Sequence, residues 1–260
     1  MEDAAPRLTA AIIASNAEED IAECLQSVAW ADERLVILDT RSADATGQVA
    51  ERLGARVAPH VFEDFARQRN YGLSIAACEW VFFIDADERA TPALEAEIRS
   101  AIRQGEHEGW WLPRRNFILG RETRHGGWSP DYQLRLMRRD RARYDPTRQV
   151  HEIVLIEGSE GYLHEPLLHY NYRDMAQFVA KQRQYIAYEA QILYKQGVRP
   201  KPWTYLTQPL REFRRRYITL QGYRDGWHGL RLCALVAYYY GFLVTVQLGR
   251  LWGPPQSVGC

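Results

Sequence analysis

The residues of this chain best suited to chemistry are three acids at the end of an apolar run. Trp80–Ile84 are five consecutive apolar residues, and Asp85, Asp87 and Glu88 follow within four positions. This pattern predicts a buried parallel strand that presents carboxylates to a ligand at its carboxyl end. Two carboxylates one residue apart could hold a hard divalent cation, which could bridge the phosphates of a nucleotide. A solvated acidic turn is the alternative that so short a motif leaves open.

Further polar residues follow two other predicted strands. Leu8–Ala14 has the pattern of a buried first strand and is followed by Ser15 and Asn16, and the strand Arg34–Leu38 ends on Asp39. Ligands of open α/β sheets bind beyond the carboxyl ends of the strands, so we expect these residues near the acidic cluster. Asp39 is suited to accept hydrogen bonds from a base or a ribose.

Strands, acidic loops and helices alternate along the first part of the chain. Helices are predicted after Ser15 and Asn16, over residues 42–53 and over residues 65–77, and a third strand begins at Ala55. We expect Ser15 or Asn16 to cap the first helix, because acids follow in its first turn. The order predicts right-handed crossovers and a mostly parallel sheet, which is an α/β fold.

Several classes of protein are disfavoured by what the sequence lacks. The first turn has no Gly-X-Gly-X-X-Gly and the chain has no Gly-Lys-Ser/Thr phosphate loop. These absences argue against a dinucleotide oxidoreductase, a P-loop enzyme and a nucleotidyltransferase. The four cysteines are far apart and indicate neither a zinc site nor a disulfide framework. The N-terminus lacks the pattern of a signal peptide, so we expect a reducing compartment.

The formal net charge of zero hides an asymmetry along the chain. Residues 1–110 carry 10 basic and 21 acidic side chains, whereas residues 200–260 carry 8 basic and 2 acidic ones. After a helical pattern over 174–197, residues 209–222 are basic and amphipathic. Their predicted apolar side consists of Leu210, Phe213, Tyr217 and Leu220. This pattern is typical of a helix at an anionic membrane interface, and an ordinary domain helix is the alternative.

The uncharged segment 232–249 is just long enough for a membrane-spanning helix. Its Gln, its Tyr run and its Gly residues favour an interfacial or dimer-forming helix instead. The basic tail contains no recognised nucleic-acid-binding module, so no nucleic-acid partner is expected.

Several of these motifs, in this order, resemble family 2 glycosyltransferases of the GT-A fold. The motifs are Ser15-Asn16 with Glu18, Asp39-Thr-Arg-Ser-Ala-Asp-Ala-Thr46, Gln68-Arg-Asn70 and Ile84-Asp-Ala-Asp-Glu88. The similarity continues through residues 127–137 and Val150-His151-Glu152. That part resembles the bacterial branch of lipopolysaccharide inner-core β-glucosyltransferases.

The resemblance implies roles for residues that match the family's motifs. Contacts to the nucleotide sugar fall on Ala14, Ser15, Asn16, Glu18, Asp39, Arg69, Asp85 and Ala86. The ligands of a divalent metal, Mn²⁺ or Mg²⁺, fall on Asp87 and His151, and a satisfied core histidine is the alternative for His151. The general base falls on Asp131, with Glu88, Asp140 and Glu152 as rivals.

Residues around Asp131 have the composition of a sugar-binding segment. Trp128 and Tyr132 could stack on sugar rings, and Gln133 and Arg135 alternate with leucines in a strand pattern. We therefore expect these four side chains to contact the acceptor or the sugar.

The sequence thus predicts an inverting, metal-dependent hexosyltransferase. We expect a GT-A catalytic domain over 1–173 and a helical region over 174–260 that contacts the acceptor, the membrane or a second copy. The donor would be a UDP-sugar, with glucose first, and the acceptor a membrane-linked saccharide such as lipopolysaccharide core. The expected location is the cytoplasmic face of the inner membrane, with residues 209–252 at the membrane surface. A non-catalytic nucleotide-sugar-binding scaffold is the alternative function.

Overall fold

A computed structural model describes residues 6–146 and 153–253. The chain divides into two compact units. The first unit comprises residues 1–115 and 131–169, and the second comprises residues 116–130 and 170–260. A single boundary at 173/174 would leave residues 116–130 in the first unit, whereas the contacts place them in the second.

Twelve strands and eight α-helices are assigned within the described residues. The strands are β1 Leu8–Ala14, β2 Glu33–Asp39, β3 Arg56–His60, β4 Trp80–Asp85, β5 Glu88–Arg89, β6 Gly109–Ile118, β7 Arg121–Thr123, β8 Tyr132–Arg138, β9 Ala142–Tyr144, β10 Val154–Ile156, β11 Glu160–Tyr162 and β12 Leu167–Tyr172. The helices are α1 Glu18–Ser27, α2 Thr46–Arg52, α3 Phe65–Ile75, α4 Pro92–Gln104, α5 Met175–Lys195, α6 Thr204–Arg214, α7 Gly226–Val236 and α8 Val244–Trp252. Short 3₁₀ segments cover Arg139–Arg141 and Gly222–Asp225, and π-helical segments cover Arg215–Thr219 and Ala237–Leu243.

The sheet is parallel where the sequence predicts it to be. Strands β3, β2, β1 and β4 are neighbours in that order and all run in the same direction. Antiparallel β8 pairs with β4, and β6 pairs antiparallel with β8. The path continues through β12 to β5, while β7 and β11 also pair with β6. The acidic end of β4 therefore meets residues delivered by both parallel and antiparallel neighbours.

Apolar side chains cover both faces of this sheet in the first unit. Along β4, Phe82 and Ile84 belong to one buried cluster, whereas Val81 and Phe83 belong to another. Successive residues of a strand point to opposite faces, so an apolar run such as β4 indicates a strand buried on both sides. Each fully buried large apolar side chain contributes about 1.5–3 kcal/mol. The strand that carries Asp85 thus has a rigid support.

The start of α1 differs from the predicted cap. The N-cap residue is Ala17, and it makes no side-chain cap hydrogen bond. Asn16 lies in the left-handed region with φ 48°, and its side-chain oxygen accepts a hydrogen bond from the backbone N–H of Ala43. The prediction that Ser15 or Asn16 caps the helix is wrong, because the Asn16 side chain bonds to the neighbouring loop.

Helix α6 in the second unit begins five residues before the predicted start at Pro209. It begins at Thr204 and includes Pro209 in its interior. A proline inside a helix removes one backbone donor, which usually ends or kinks the helix. Here the π-helical segment Ala237–Leu243 approaches closely, since a Cβ on Gly241 would overlap the Cα of Pro209. The glycine permits this close packing of α6.

The side chains of α6 and of the segment after it differ in exposure. Phe213 and Tyr217 are half-buried and stack with ring centroids 5.2 Å apart. Leu206 and Leu210 instead face solvent, with 76% and 66% of their surface exposed. Of the predicted apolar side, Leu210 is exposed, whereas Phe213, Tyr217 and Leu220 are half-buried, which is closer to the alternative of an ordinary domain helix.

Residues Gly222–Trp252 form the one helix in the described part of the chain that is long and apolar enough to cross a membrane. Its most apolar 18-residue window has a mean hydropathy of 1.5, and half of that window is buried inside the fold. Core helices of soluble proteins share these properties, so length and composition alone are weak evidence for a span.

Candidate active site

The loops that follow β1 and β2 are joined by hydrogen bonds. The backbone N–H of Asn16 donates to Ser42 Oγ at 2.9 Å, and that of Glu18 donates to Asp44 Oδ2 at 2.9 Å. Glu18 Oε2 accepts from the backbone N–H of Ala45 at 3.2 Å. Asn16 and Glu18, predicted to contact the nucleotide, thus hold the two loops together.

The remaining residues predicted at the end of β1 differ in exposure. Ala14 is buried, so it could contact a ligand through its backbone, whereas Ser15 is exposed. Of these two side chains, Ser15 is the one available to a base or ribose.

Asp39 lies at the carboxyl end of β2, as predicted, and is engaged by an arginine that the sequence did not single out. Arg41 Nη2 lies 3.0 Å from Asp39 Oδ2, and Arg41 Nε lies 3.1 Å from Oδ1. The backbone N–H groups of Arg41 and Phe62 also donate to Oδ1. The hydrogen bonds from Arg41 hold the pKa of Asp39 below its ordinary value, against the effect of burial. Asp39 is therefore an ionised acceptor.

Asp85 at the end of β4 is neutralised by two arginines. Arg135 Nη2 donates to Asp85 Oδ2 at 2.5 Å, and Arg69 Nη2 donates to Oδ1 at 3.2 Å. Burial opposes the ionised form of Asp85, but Arg135 and Arg69 outweigh it and hold the pKa of Asp85 well below its ordinary value. Asp85 and Arg69, both predicted nucleotide contacts, thus lie together, and Ala86 follows half-buried.

Asp87 has different surroundings, although it is only two residues away. His169 Nε2, on β12, lies 3.7 Å from Asp87 Oδ1, and the His169 side chain is buried. A carboxylate and an imidazole are a donor set that suits Mn²⁺, with nucleotide phosphates completing the coordination. In residues 6–146 and 153–253, no group of three or more His, Cys, Asp or Glu side chains is arranged to hold a metal. The predicted metal ligand His151 and the rival base Glu152 lie outside the described residues.

Asp131 is connected to the acidic motif by an ion-pair chain. Arg114 Nε donates to Asp131 Oδ2 at 2.8 Å, and Arg114 Nη1 donates to Glu88 Oε1 at 3.2 Å. Gln133 Nε2 donates to the other carboxylate oxygen of Asp131 at 2.9 Å. The Asp131 side chain is 21% exposed, whereas the Glu88 side chain is fully buried. Of these two acids, Asp131 is the one that a substrate can reach.

The rival base Asp140 lies in the 3₁₀ segment after β8, beyond the end of the strand opposite to Asp131. Its exposed carboxylate pairs with Arg138 at 3.4 Å. Its position separates it from the strand tips that carry Asp85 and Asp87.

The four predicted acceptor contacts are in different surroundings. Tyr132 is 42% exposed and packs edge-on to Tyr162 with centroids 5.6 Å apart, so its ring is available to a sugar. Gln133 bonds to Asp131 and Arg135 is buried against Asp85, so both act within the site. Trp128 belongs to the second unit, where it packs against the cluster around Phe178.

Three residues of the site were missed by sequence reasoning: Arg41, Arg114 and His169. Arg41 follows Asp39 by two positions, so a turn that brings them together could have been considered. Arg114 meets Asp131 because the antiparallel register that pairs Pro113 with Tyr132 continues to the next residues. His169 meets the acidic motif because β12 pairs with β5, and no local pattern indicates that pairing.

Comparison with known proteins places this site in a family. The family model described as "Glycosyl transferase family 2" matches residues 9–167, which include Asp39, Asp85, Asp87 and Asp131. The lipopolysaccharide core biosynthesis glycosyltransferase LpsC of Rhizobium meliloti (strain 1021) is 28% identical over 253 residues, covering 93% of this chain and 91% of LpsC. An uncharacterized glycosyltransferase of Rickettsia bellii is 24% identical, covering 94% of this chain and 87% of that protein.

Two solved structures are similar to this chain. Glucosyl-3-phosphoglycerate synthase of Mycobacterium tuberculosis, solved with Mn²⁺, UDP and glucosyl-3-phosphoglycerate, has a TM-score of 0.45 at 18% identity and covers 76% of this chain and 82% of its own. S. aureus TarS 1–349 has a TM-score of 0.46 at 15% identity and covers 96% of this chain and 93% of its own.

The family match covers more than half of the chain and confirms the expected fold class. The mostly parallel α/β sheet with C-terminal helices is GT-A-like, as the sequence resemblance implied. The chain is a glycosyltransferase and belongs to glycosyl transferase family 2.

Proposed function

We propose that this glycosyltransferase moves a hexose, with glucose as the first candidate, from a UDP-sugar to a hydroxyl group of a membrane-linked saccharide such as lipopolysaccharide core. The observation that carries the proposal is the ion-pair chain joining Asp85, Glu88 and Asp131 at one edge of the sheet. The name of the relative LpsC supports the class of acceptor.

The donor would lie against the loops after β1, β2 and β4. Asp39 is an ionised acceptor for a base or ribose, and exposed Ser15 is a second polar contact. Arg41 covers Asp39 and is itself largely exposed, so it could move aside or bind the nucleotide. Because the loop that carries Asn16 and Glu18 is already hydrogen-bonded to the loop after β2, little ordering is needed when the donor binds.

A divalent metal would be held by the predicted ligand Asp87 together with His169, and His151 is the other ligand that the sequence predicts. When bound, the metal would stabilise the negative charge that develops on the leaving diphosphate. Asp85, already neutralised by Arg69 and Arg135, fits a role beside the ribose better than a role as metal ligand.

Asp131 would act as general base for the acceptor hydroxyl. The hydroxyl oxygen forms a bond to the anomeric carbon while the bond from that carbon to the diphosphate oxygen breaks, and Asp131 accepts the hydroxyl proton. A single displacement of this kind inverts the anomeric centre. Arg114 holds Oδ2 of Asp131 and Gln133 holds Oδ1, which fixes the direction of the carboxylate.

The exposed face of α6 and the segment after it supports a membrane location. We define this face by Leu206, Leu210, Arg211, Arg214 and Ile218, all of which are exposed. Leucines beside arginines at the surface of a helix fit the interface of an anionic leaflet, with the apolar side chains below the headgroups. The protein would then be peripheral at the cytoplasmic face of the inner membrane. A homo-oligomer through the helix Gly222–Trp252 is the second candidate for that helix.

A transfer assay with a substitution at Asp131 tests the proposed function. Purified protein with Mn²⁺, a lipopolysaccharide-core acceptor and UDP-glucose should release UDP, with UDP-galactose and the N-acetyl sugars as comparison donors. Asp131→Asn should still bind UDP-glucose in calorimetry, while transfer falls by about 10³-fold or more, because the carboxylate acts on the transition state.

The matched control is Asp140→Asn, since Asp140 is an exposed acid beyond the other end of β8. It should transfer at the wild-type rate. Transfer retained in Asp131→Asn would assign the base to another acid. UDP binding without turnover for every donor and acceptor would instead support a nucleotide-sugar-binding scaffold.

A further inference from the structure

We propose that Arg114 is a positioning residue for the Asp131 carboxylate and that Glu88 is its fixed counter-charge. Arg114 would set the direction of the general base and keep the site electrically balanced when the base takes up a proton. This inference rests on the proposed function, because it gives Arg114 a role in the same transfer reaction.

The first observation is the number of contacts between Arg114 and Asp131. The backbone N–H of Arg114 donates to the backbone oxygen of Asp131 at 2.8 Å. The Arg114 side chain contacts Asp131 Oδ2 through both Nε and Nη2, each at 2.8 Å. The backbone contact fixes where the two strands meet, and the side chain fixes where the carboxylate points. Substitution of the Arg114 side chain therefore leaves the strand pairing in place.

The second observation is the second carboxylate on the same guanidinium. Arg114 Nη1 donates to Glu88 Oε1 at 3.2 Å, and Glu88 is fully buried. Glu88 Oε2 accepts from the backbone N–H of Asp85 at 2.8 Å, and Arg135 lies 3.7 Å from Glu88 Oε1. Glu88 thus joins the strand end that carries the Asp-X-Asp motif to the arginine that holds Asp131.

The electrostatic consequence follows from burial. A buried guanidinium whose only carboxylate becomes protonated would be left as an uncompensated charge, which is costly. Because Arg114 also donates to Glu88, the arginine keeps a carboxylate partner when Asp131 accepts the acceptor proton. Arg114 itself transfers no proton.

A purely structural role for Arg114 would predict a different result. If the arginine only tied two strands together, its loss would lower stability and weaken donor binding together with turnover. A positioning role predicts a lower kcat with unchanged donor affinity, because a misplaced base acts on the transition state alone.

The test compares Arg114→Ala, Arg114→Lys and Glu88→Gln in full-length protein. We expect kcat for UDP-glucose transfer to fall by about 100-fold in Arg114→Ala, the cost of a small misplacement of a reacting group. The Kd for UDP-glucose should stay within about twofold of wild type. Added guanidinium ion should restore at least about tenfold in Arg114→Ala, since the cation can occupy the vacated position between the two carboxylates.

The matched control is Arg138→Ala. Arg138 lies at the other end of β8, its backbone N–H donates to the backbone oxygen of Glu108 at 2.9 Å, and its side chain pairs with Glu108 at 3.4 Å. The variant Arg138→Ala removes the same type of side chain from the same β6–β8 pair, so its kcat should be unchanged and guanidinium should have no effect on it. Arg114→Lys keeps a charge but not the fork geometry, and we expect an intermediate kcat. If Arg114→Ala does not fold, Arg114→Lys still tests the positioning role.

The inference is overturned if Arg114→Lys and Arg114→Ala turn over like wild type. It is also overturned if their donor Kd rises in step with the loss of kcat, or if guanidinium rescues Asp131→Asn equally. Normal turnover in Glu88→Gln would remove the counter-charge role. If wild-type protein releases no UDP from any donor, the proposed function fails and this inference fails with it.

Discussion

Two arginines of the first unit and two of the second have opposite surroundings. In the first unit, Arg114 and Arg135 are largely buried, and each contacts at least two carboxylates. In the second unit, Arg211 and Arg214 are exposed on the helix that starts at Thr204. Within residues 6–146 and 153–253, neither of these two arginines has a carboxylate partner.

The buried arginines Arg114 and Arg135 stabilise the fold through their carboxylate partners, whereas the exposed Arg211 and Arg214 are available to bind another molecule. Removal of one member of a buried pair leaves its partner uncompensated, so the fold loses stability. Removal of an exposed arginine usually changes stability by less than about 0.5 kcal/mol. Site variants should therefore be measured by unfolding and turnover together, and variants of the α6 face by binding.

The largest expected effect tests this contrast inside a single motif. Asp85→Ala should lower the free energy of unfolding by about 2–3 kcal/mol, because buried Arg135 loses its closest carboxylate while Asp85 itself is partly exposed. Asp87→Ala should change it by less than about 1 kcal/mol and abolish Mn²⁺-dependent UDP binding. Urea unfolding and calorimetry with Mn²⁺ and UDP measure the two quantities.

Equal losses of stability in Asp85→Ala and Asp87→Ala would contradict the different roles proposed for these two acids. Asp140→Ala is the control for a surface acid in the same unit, and it should unfold like wild type.

A smaller effect is expected from pH. Arg135 and Arg69 overcome the burial of Asp85 and hold its pKa below the unfolded value, so the stabilisation it contributes is present above about pH 4 and is lost as pH falls further. The loss for one such carboxylate is on the order of 2 kcal/mol. Urea midpoints between pH 7 and pH 2 measure it, and Asp85→Asn should show a flatter decline than wild type.

Asp39 and Asp44 also have lowered pKa values, so the wild-type decline includes their contributions. Only the difference in urea midpoint between wild type and Asp85→Asn isolates the contribution of Asp85. Parallel curves for the two proteins would mean that Asp85 is not the neutralised acid described above.

The smallest effect concerns the α6 face. Replacement of both Arg211 and Arg214 by Gln should weaken binding to anionic phosphatidylglycerol vesicles by about 1 kcal/mol per arginine, while UDP release from a soluble acceptor fragment stays constant. Sedimentation with vesicles at low and high salt measures the affinity, and the difference should shrink at high salt.

Arg52→Gln with Arg103→Gln is the matched control, since it removes the same charge from exposed positions of the first unit. The control should bind vesicles like wild type. Equal losses in the two double variants would show that net charge, and not this face, drives binding. Binding lost in neither would remove the membrane from the proposal.

The parts of the site that lie on parallel strand ends were predictable from the sequence. Asp39 and Asp85 each end an apolar run, and the order of strands and helices places such ends at one edge of a sheet. The family match confirms the fold class and the family that the order of motifs implied. The roles of individual site residues remain predictions.

The parts that depend on long-range register were not predictable. Arg114 meets Asp131 through an antiparallel ladder between β6 and β8, which contains a register shift between Trp110 and Trp111. His169 meets Asp87 through the short pairing of β12 with β5. The sequence placed the start of α6 at Pro209, whereas the helix begins at Thr204 and contains Pro209 in its interior, where it packs closely against Gly241.

The hydrogen bonds between the loops after β1 and β2 have a consequence for redesign of the enzyme. Asn16, Glu18 and Asp44 all take part in the hydrogen bonds between the two loops, so the stability effects of substitutions among them would be strongly non-additive. A library that varies all three together would contain mostly variants in which the two loops are no longer held together. Ser15 is exposed and lies next to these hydrogen-bonded residues. Because Ser15 is a proposed contact to the nucleotide, attempts to change which nucleotide the enzyme accepts should begin with Ser15 and leave its neighbours unchanged.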